Sequence, residues 1–226
     1  MEMAKGHEGL RERKKRATRE AIATAARRLF AERGFDRVTV AEVAVAADVS
    51  EKTVFNHFAT KEDLAFAGGL TGLDELPAAL ARRPAGASVL DVFRAATDAL
   101  LDGVADPGDD DALPALARIV HRSDALRERL ATGSERETAT LAAAIADAVG
   151  ADAEDVVPAL VARTLAWTHR SIVGAAVAGL SAGEDRRALA ARLRAAATRA
   201  YDQVGAGLSD YGTRERDAAP VASAPR

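Results

Sequence analysis

The chain has 226 residues, 48% of them hydrophobic and 29% charged but only 4% aromatic, with no cysteine and a formal net charge of -3. That length makes one large domain or two small ones. An apolar fraction built from Ala, Leu and Val favours helices, and without period-two stretches of β-branched and aromatic residues an all-β fold is excluded. The lack of cysteine excludes disulfides, thiolate metal sites and a thiol nucleophile. A charged N-terminus and the absence of a run of 18 uncharged apolar residues predict a soluble cytoplasmic protein with no signal peptide and no membrane association.

The net charge hides a segregation. Through Leu64, 13 Lys/Arg face 11 Asp/Glu, and all five lysines lie at or before Lys61; the remaining 162 residues hold 18 Arg, no Lys and 23 Asp/Glu. Residues 1–15 read as a basic flexible arm that includes Arg13, Lys14 and Lys15. From residue 16 to 33, Ile22, Ala25, Ala26, Leu29 and Phe30 recur at helical spacing and predict an amphipathic helix, stopped by Gly34, which tolerates the left-handed C′ position. Thr39 with Glu42 forms a capping box, and Val38 with Val43 stands at the spacing of a hydrophobic staple, so a second helix starts at Val40. Ser50 is the N-cap of a third, with Val49 and Val54 again at staple spacing, and Thr60 with Asp63 caps a fourth. Two helices of about two turns joined by a turn around residues 47–49 have helix-turn-helix geometry. Val43, Ala44, Val49, Val54 and Phe58 can pack on the Leu29–Phe30 end of the first helix, which keeps Lys52, Thr53, Phe55, Asn56 and His57 off that core.

Beyond Leu64 helical periodicity continues. Ser88 and Asp91 cap a helix carrying Val89, Val92, Phe93, Ala96 and Leu100 and ended by Gly103. After an acidic Pro/Gly loop at 106–111 comes a short helix at 114–121, then a longer one to Gly150 with a break at Gly133 and Ser134. The segments 152–178 and 185–204 follow as long helices, and from Leu208 the chain loses periodicity and reads as a disordered tail.

The run from Thr39 to Leu64, with Phe55-Asn56-His57-Phe58 followed by Lys61-Glu62, resembles the DNA-binding domain of TetR-family regulators. The lead-in at 82–90 is similar to that of actinobacterial members resembling the mycofactocin-system regulators. The resemblance implies an all-α fold: a helix-turn-helix domain at 16–64, an antiparallel helical ligand-binding and dimerisation domain at 65–207, and a tail at 208–226. It implies base contacts from Lys52, Thr53 and Asn56, for which lysine-to-guanine and asparagine-to-adenine pairing provide the chemistry. It places Thr39, Ser50, Phe55, His57 and Lys61 near phosphates, three of them at helix N-termini that favour anions, and Arg13, Lys14 and Lys15 against the DNA backbone or minor groove. Two positions depart from the family pattern. Phe55 stands where tyrosine is common, which removes a hydroxyl contact, and Asp48 stands where glycine is common, although Asp tolerates left-handed backbone.

Further along, Phe93, Arg118, His121, Arg122, Trp167, His169 and Arg170 admit two readings, a pocket holding a small amphipathic molecule or ordinary core and surface. No metal-ligand spacing, Ser-His-Asp arrangement or Gly-rich phosphate loop is visible, so neither a cofactor nor enzymatic activity is expected. The implied function is a homodimeric regulator, paired through 152–178 and 185–204, that binds a double-stranded palindromic operator. A small apolar or amphipathic effector, for instance an acyl-CoA-like molecule, would release a repressor of this kind from its site. The alternatives are an activator without a small-molecule switch and a helical carrier or enzyme with a vestigial helix-turn-helix.

Overall fold

The computed structural model describes residues 10–67, 71–106, 113–133, 135–208 and 211–213, apart from the side chains of 10–12 and 115. The start of the expected basic arm, most of the acidic loop, Ser134 and residues 214–226 of the expected tail lie outside them. Among the described residues there are helices and turns and no strands, and no helix is long and apolar enough to cross a membrane.

The chain packs as two units, Met1–Leu70 with Ala112–Arg127 and Thr71–Asp111 with Glu128–Arg226. In the first, α1 (Leu10–Arg33) begins six residues before the start expected from periodicity. Arg13, Lys14 and Lys15, expected in a flexible arm, therefore lie exposed on a helix, because that stretch consists of strong helix formers. A 3-10 turn at Phe35–Arg37 leads to α2 (Val40–Ala46) and α3 (Glu51–His57), followed by α4 (Lys61–Ala65). Ile22, Ala26, Phe30, Val38, Val43, Val54 and Phe58 are all at most 2% exposed and form its core. The helix starts follow the caps read from the sequence. Thr39 and Glu42 make both bonds of a capping box, as do Thr60 and Asp63, and the Ser50 hydroxyl accepts from the Thr53 amide. Asp48 adopts φ 54°, the left-handed geometry expected of it in place of glycine.

α7 (Leu113–Arg122) and the start of α8 (Asp124–Thr132) belong to this first unit, although their sequence falls inside the segment expected to form the second domain. The Ser123 hydroxyl, buried, donates to Asp36 at 3.0 Å and fastens the end of α7 to the 3-10 turn. Contacts of this kind join residues 87 positions apart and leave no local signature.

The second unit is built from α5 (Leu76–Ala81), α6 (Val89–Ala105), α9 (Glu135–Val149), α10 (Val157–Ala182) and α11 (Arg186–Gly205). Its core includes Phe93, Leu101, Leu141, Ile145, Leu165 and Leu193. α5, with Pro77 in its first turn, was not evident as a helix in the sequence, being only six residues long. α6 runs through Gly103, expected as its stop, to Ala105; the Arg186 side chain donates to the carbonyls of Val104 and Gly103 and caps that end from another helix. The start of the expected disordered tail is docked instead: the Gly212 carbonyl accepts from buried Arg83, and the Tyr211 carbonyl accepts from the Val89 amide.

Candidate functional site

In the helix-turn-helix, α3 is held from behind. Val54 and Phe58 are 1% and 2% exposed, and Arg19 on α1 donates to the His57 carbonyl at 2.6 Å while its guanidinium lies 4.2 Å from the Phe58 ring centroid. A guanidinium at the C-terminal end of α3 complements the partial negative charge there. The opposite face is open: Lys52, Phe55 and Asn56 are exposed, Phe55 at 51%. Among them stand an ammonium, a primary amide and an aromatic ring, the groups that meet guanine edges, adenine edges and thymine methyls in a major groove.

The flanking residues are more committed than their exposure suggests. The Thr39 hydroxyl accepts from the Glu42 amide and donates to the Glu42 carboxylate at 2.8 Å, and Ser50 and Thr53 share a hydroxyl contact of 2.8 Å. Glu42 in turn pairs with Arg33 at 2.7 Å, so one carboxylate joins the end of α1 to the start of α2. Those partners, first of all the Thr39 backbone amide, hold its pKa down to about 2. Lys61 Nζ stands 4.2 Å from the centroid of the Phe35 ring, a cation–π contact that positions the ammonium at the start of α4. His57 is half-buried, and desolvation, then Arg19 and Lys15, lower its pKa and keep the ring neutral at pH 7. Neither the Arg33–Glu42 pair nor the Arg19 contact was evident from the motif, since both join side chains of different helices.

The residues expected to line an effector pocket do not converge on a single site, and of the seven only Arg118 and Arg122 border a common cleft. Arg118, His121 and Arg122 are exposed on α7 in the first unit, with Arg118 and Arg122 beside the 3-10 turn. Trp167 is 63% exposed on the outer face of α10. Phe93 and His169 are fully buried, and His169 is spent in a core network. Its Nε2 faces the Thr71 carbonyl at 2.6 Å, which can only accept, so Nε2 carries the proton. Unprotonated Nδ1 lies 2.7 Å from the Thr97 hydroxyl, whose single proton is shared between Nδ1 and the Phe93 carbonyl at 2.9 Å, while Thr97 accepts from Tyr201 at 2.8 Å. Burial lowers the His169 pKa, so the neutral ring fits this pattern. Arg170, 4% exposed, pairs with Glu137 at 3.1 Å, and a Cβ on Gly133, which has φ +73°, would stand 2.5 Å from its guanidinium. His169 and Arg170 thus have structural partners, and their adjacency in sequence does not make them a pocket.

Comparison with known proteins agrees with the first unit. The family model described as bacterial regulatory proteins, tetR family, matches residues 22–67. The HTH-type transcriptional regulator TcmR of Streptomyces glaucescens is 38% identical over 152 residues, 65% of this chain and 67% of TcmR. The chain belongs to the TetR family. Among solved structures, this TetR-family regulator is similar to GusR of Salmonella enterica, at 25% identity and a TM-score of 0.42 over 88% of this chain and 100% of that one. It is similar also to a TetR-family regulator of Streptomyces coelicolor A3, at 28% identity and a TM-score of 0.44 over 87% of this chain and 99% of that one. As a member of the family it is a DNA-binding transcriptional regulator, and its match over 22–67 contains α2, α3 and the open face just described.

Proposed function

We propose that this regulator binds a palindromic operator as a homodimer, with Lys52, Thr53 and Asn56 reading bases and Thr39, Ser50, Phe55, His57 and Lys61 near phosphates. Arg13, Lys14 and Lys15 supply further backbone charge. The observation that carries the reading is the combination in α3 of an outer face left open at Lys52, Phe55 and Asn56 with an inner face fixed by Val54 and Phe58. A preorganised helix loses little further freedom on docking. The domain division carries over in amended form, with the reading head formed by residues up to 70 together with 112–127.

Release by a small apolar or amphipathic effector is the second part of the proposal. Its polar contacts are not expected from His169 or Arg170 unless their network opens, because each already has buried partners. An effector acts only by binding the released state better than the DNA-bound one, and a coupling of about 1–3 kcal/mol changes operator affinity by roughly 5- to 150-fold.

Fluorescence anisotropy on the DNA upstream of its own gene tests the DNA reading, with a scrambled duplex as control. Asn56→Ala is expected to cost about 1–3 kcal/mol and relax preference at one position, whereas Lys61→Ala weakens all sequences alike and lowers the salt slope by about one. Equal affinity of the native chain for scrambled DNA would overturn the proposal.

A further inference from the structure

The cleft in the first unit lies between the end of α1, the 3-10 turn and α7, and has a volume of about 490 Å³. That is within the range of roughly 300–1,000 Å³ typical of small-molecule sites. Its lining includes Phe30 and Phe35, whose ring centroids are 5.1 Å apart, with Ile119 beside them. Arg37, Arg118 and Arg122 border it as well.

Arg118 and Arg122 stand four residues apart on α7, both exposed and, among the described residues, without a hydrogen bond or ion pair. Arg122 in the last turn of α7 complements the negative end of the helix, but Arg118 one turn earlier opposes it as a like charge, so the stability of α7 does not account for the pair. Arg37 is anchored through Nε to the Arg33 carbonyl at 2.6 Å, which leaves the far end of its guanidinium beside Gly34 at the cleft. Two carboxylates also border the cleft. Asp36 is engaged by the Ser123 hydroxyl, and Glu32 is exposed at its edge. Three cations against two anions leave one uncompensated positive charge.

We propose that this cleft is a binding site for a singly charged organic anion, a monocarboxylate with a compact aromatic or apolar body. The carboxylate takes the paired guanidiniums of Arg118 and Arg122, for which the planar fork of arginine is suited, and the body fills the space beside Ile119 and Ala31, with the buried rings of Phe30 and Phe35 as the floor beneath. Asp36 and Glu32 set the charge limit. A polyanion such as an oligophosphate brings more negative charge than the arginines offset and meets both carboxylates. Occupancy ties α7 to the end of α1 and to the turn that leads into α2, so the ligand stabilises the unit that carries the helix-turn-helix.

The test uses the full-length purified protein without DNA and therefore stands or fails apart from the operator proposal. Isothermal titration calorimetry compares 1-naphthoate with its uncharged analogue 1-naphthamide. Naphthoate is expected to bind at least about tenfold more tightly, as charge-assisted hydrogen bonds require. The double variant R118Q/R122Q brings the two ligands to equal, weak affinity, while R136Q, which removes an exposed arginine on α9, leaves naphthoate binding unchanged. A31W fills the cleft from an exposed position and abolishes binding of both. Absence of naphthoate binding at millimolar concentration, equal affinity for the two compounds, or full naphthoate affinity in R118Q/R122Q would each overturn the proposal.

Discussion

At the scale of single residues, the helix-turn-helix depends on a few hydroxyl and carboxylate groups that complete helix ends. Thr39→Ala removes the hydroxyl that accepts from the Glu42 amide, and a lost N-cap costs about 0.5–2 kcal/mol. Urea unfolding of the variant measures this, and a change within error of zero would mean that the cap is redundant. Glu42 adds a pH dependence whose sign is fixed by its partners. Its folded pKa is depressed from 4.5 to about 2, so its stabilising effect is fully present above pH 4.5 and disappears as the pH falls from there toward 2. Glu42→Gln keeps a similar shape and removes the titration. The difference in stability between the native chain and this variant should shrink steadily over that acid range, and a difference independent of pH would show that the contact with Arg33 and Thr39 does not persist in solution.

At the scale of elements, what the sequence disclosed depended on distance along the chain. The capping boxes at Thr39, Thr60 and Ser88, the left-handed Asp48 and the break at Gly133 are settled within four residues, and all were legible. The return of α7 to the first unit, the docking of Tyr211 and Gly212 and the second-helix cap supplied by Arg186 join distant segments, which no local pattern encodes. The same holds for the candidate sites. The open face of α3 follows from helical spacing around buried Val54, but whether His169 lines a pocket or fills a core depends on Thr71, Thr97 and Tyr201, 98, 72 and 32 positions away or reached through one another. That network makes its own prediction. Thr97→Val leaves His169 Nδ1 and the Tyr201 hydroxyl without their partner, and each unsatisfied buried group costs about 1–3 kcal/mol. Because burial holds the His169 pKa below 6.5, unfolding takes up a proton once the pH falls below that value, so stability declines in that direction. Replacement by Gln should flatten the decline in denaturant melts, and a slope unchanged in the variant would assign it to another group.

At the scale of the whole molecule, the segregation of charge gives a reading head that holds every lysine and a remainder rich in carboxylates. A single reading head of this size contacts only one half-site, and a palindrome calls for two recognition helices about 34 Å apart. The surface of α10 offers the means of pairing. Val156, Leu160 and Trp167 are 66%, 58% and 63% exposed and recur on one face, and Gly174 and Ala178 continue it. A Cβ at Gly174 would meet nothing within 4 Å, so the small residues leave room for a second helix to approach closely. Large apolar side chains in a row on a water-facing helix are costly unless covered, and in the proposed homodimer a second copy of α10 and α11 would cover them. Trp167→Glu places a charge in the middle of that face at a position 63% exposed. Sedimentation velocity at micromolar concentration should show a dimer for the native protein and a monomer for this variant, with helicity by circular dichroism unchanged. The variant should also lose at least about tenfold in operator affinity, because the second half-site then binds as an independent event. A variant that still sediments as a dimer would place the pairing surface elsewhere, and a monomer that keeps full operator affinity would separate pairing from DNA recognition.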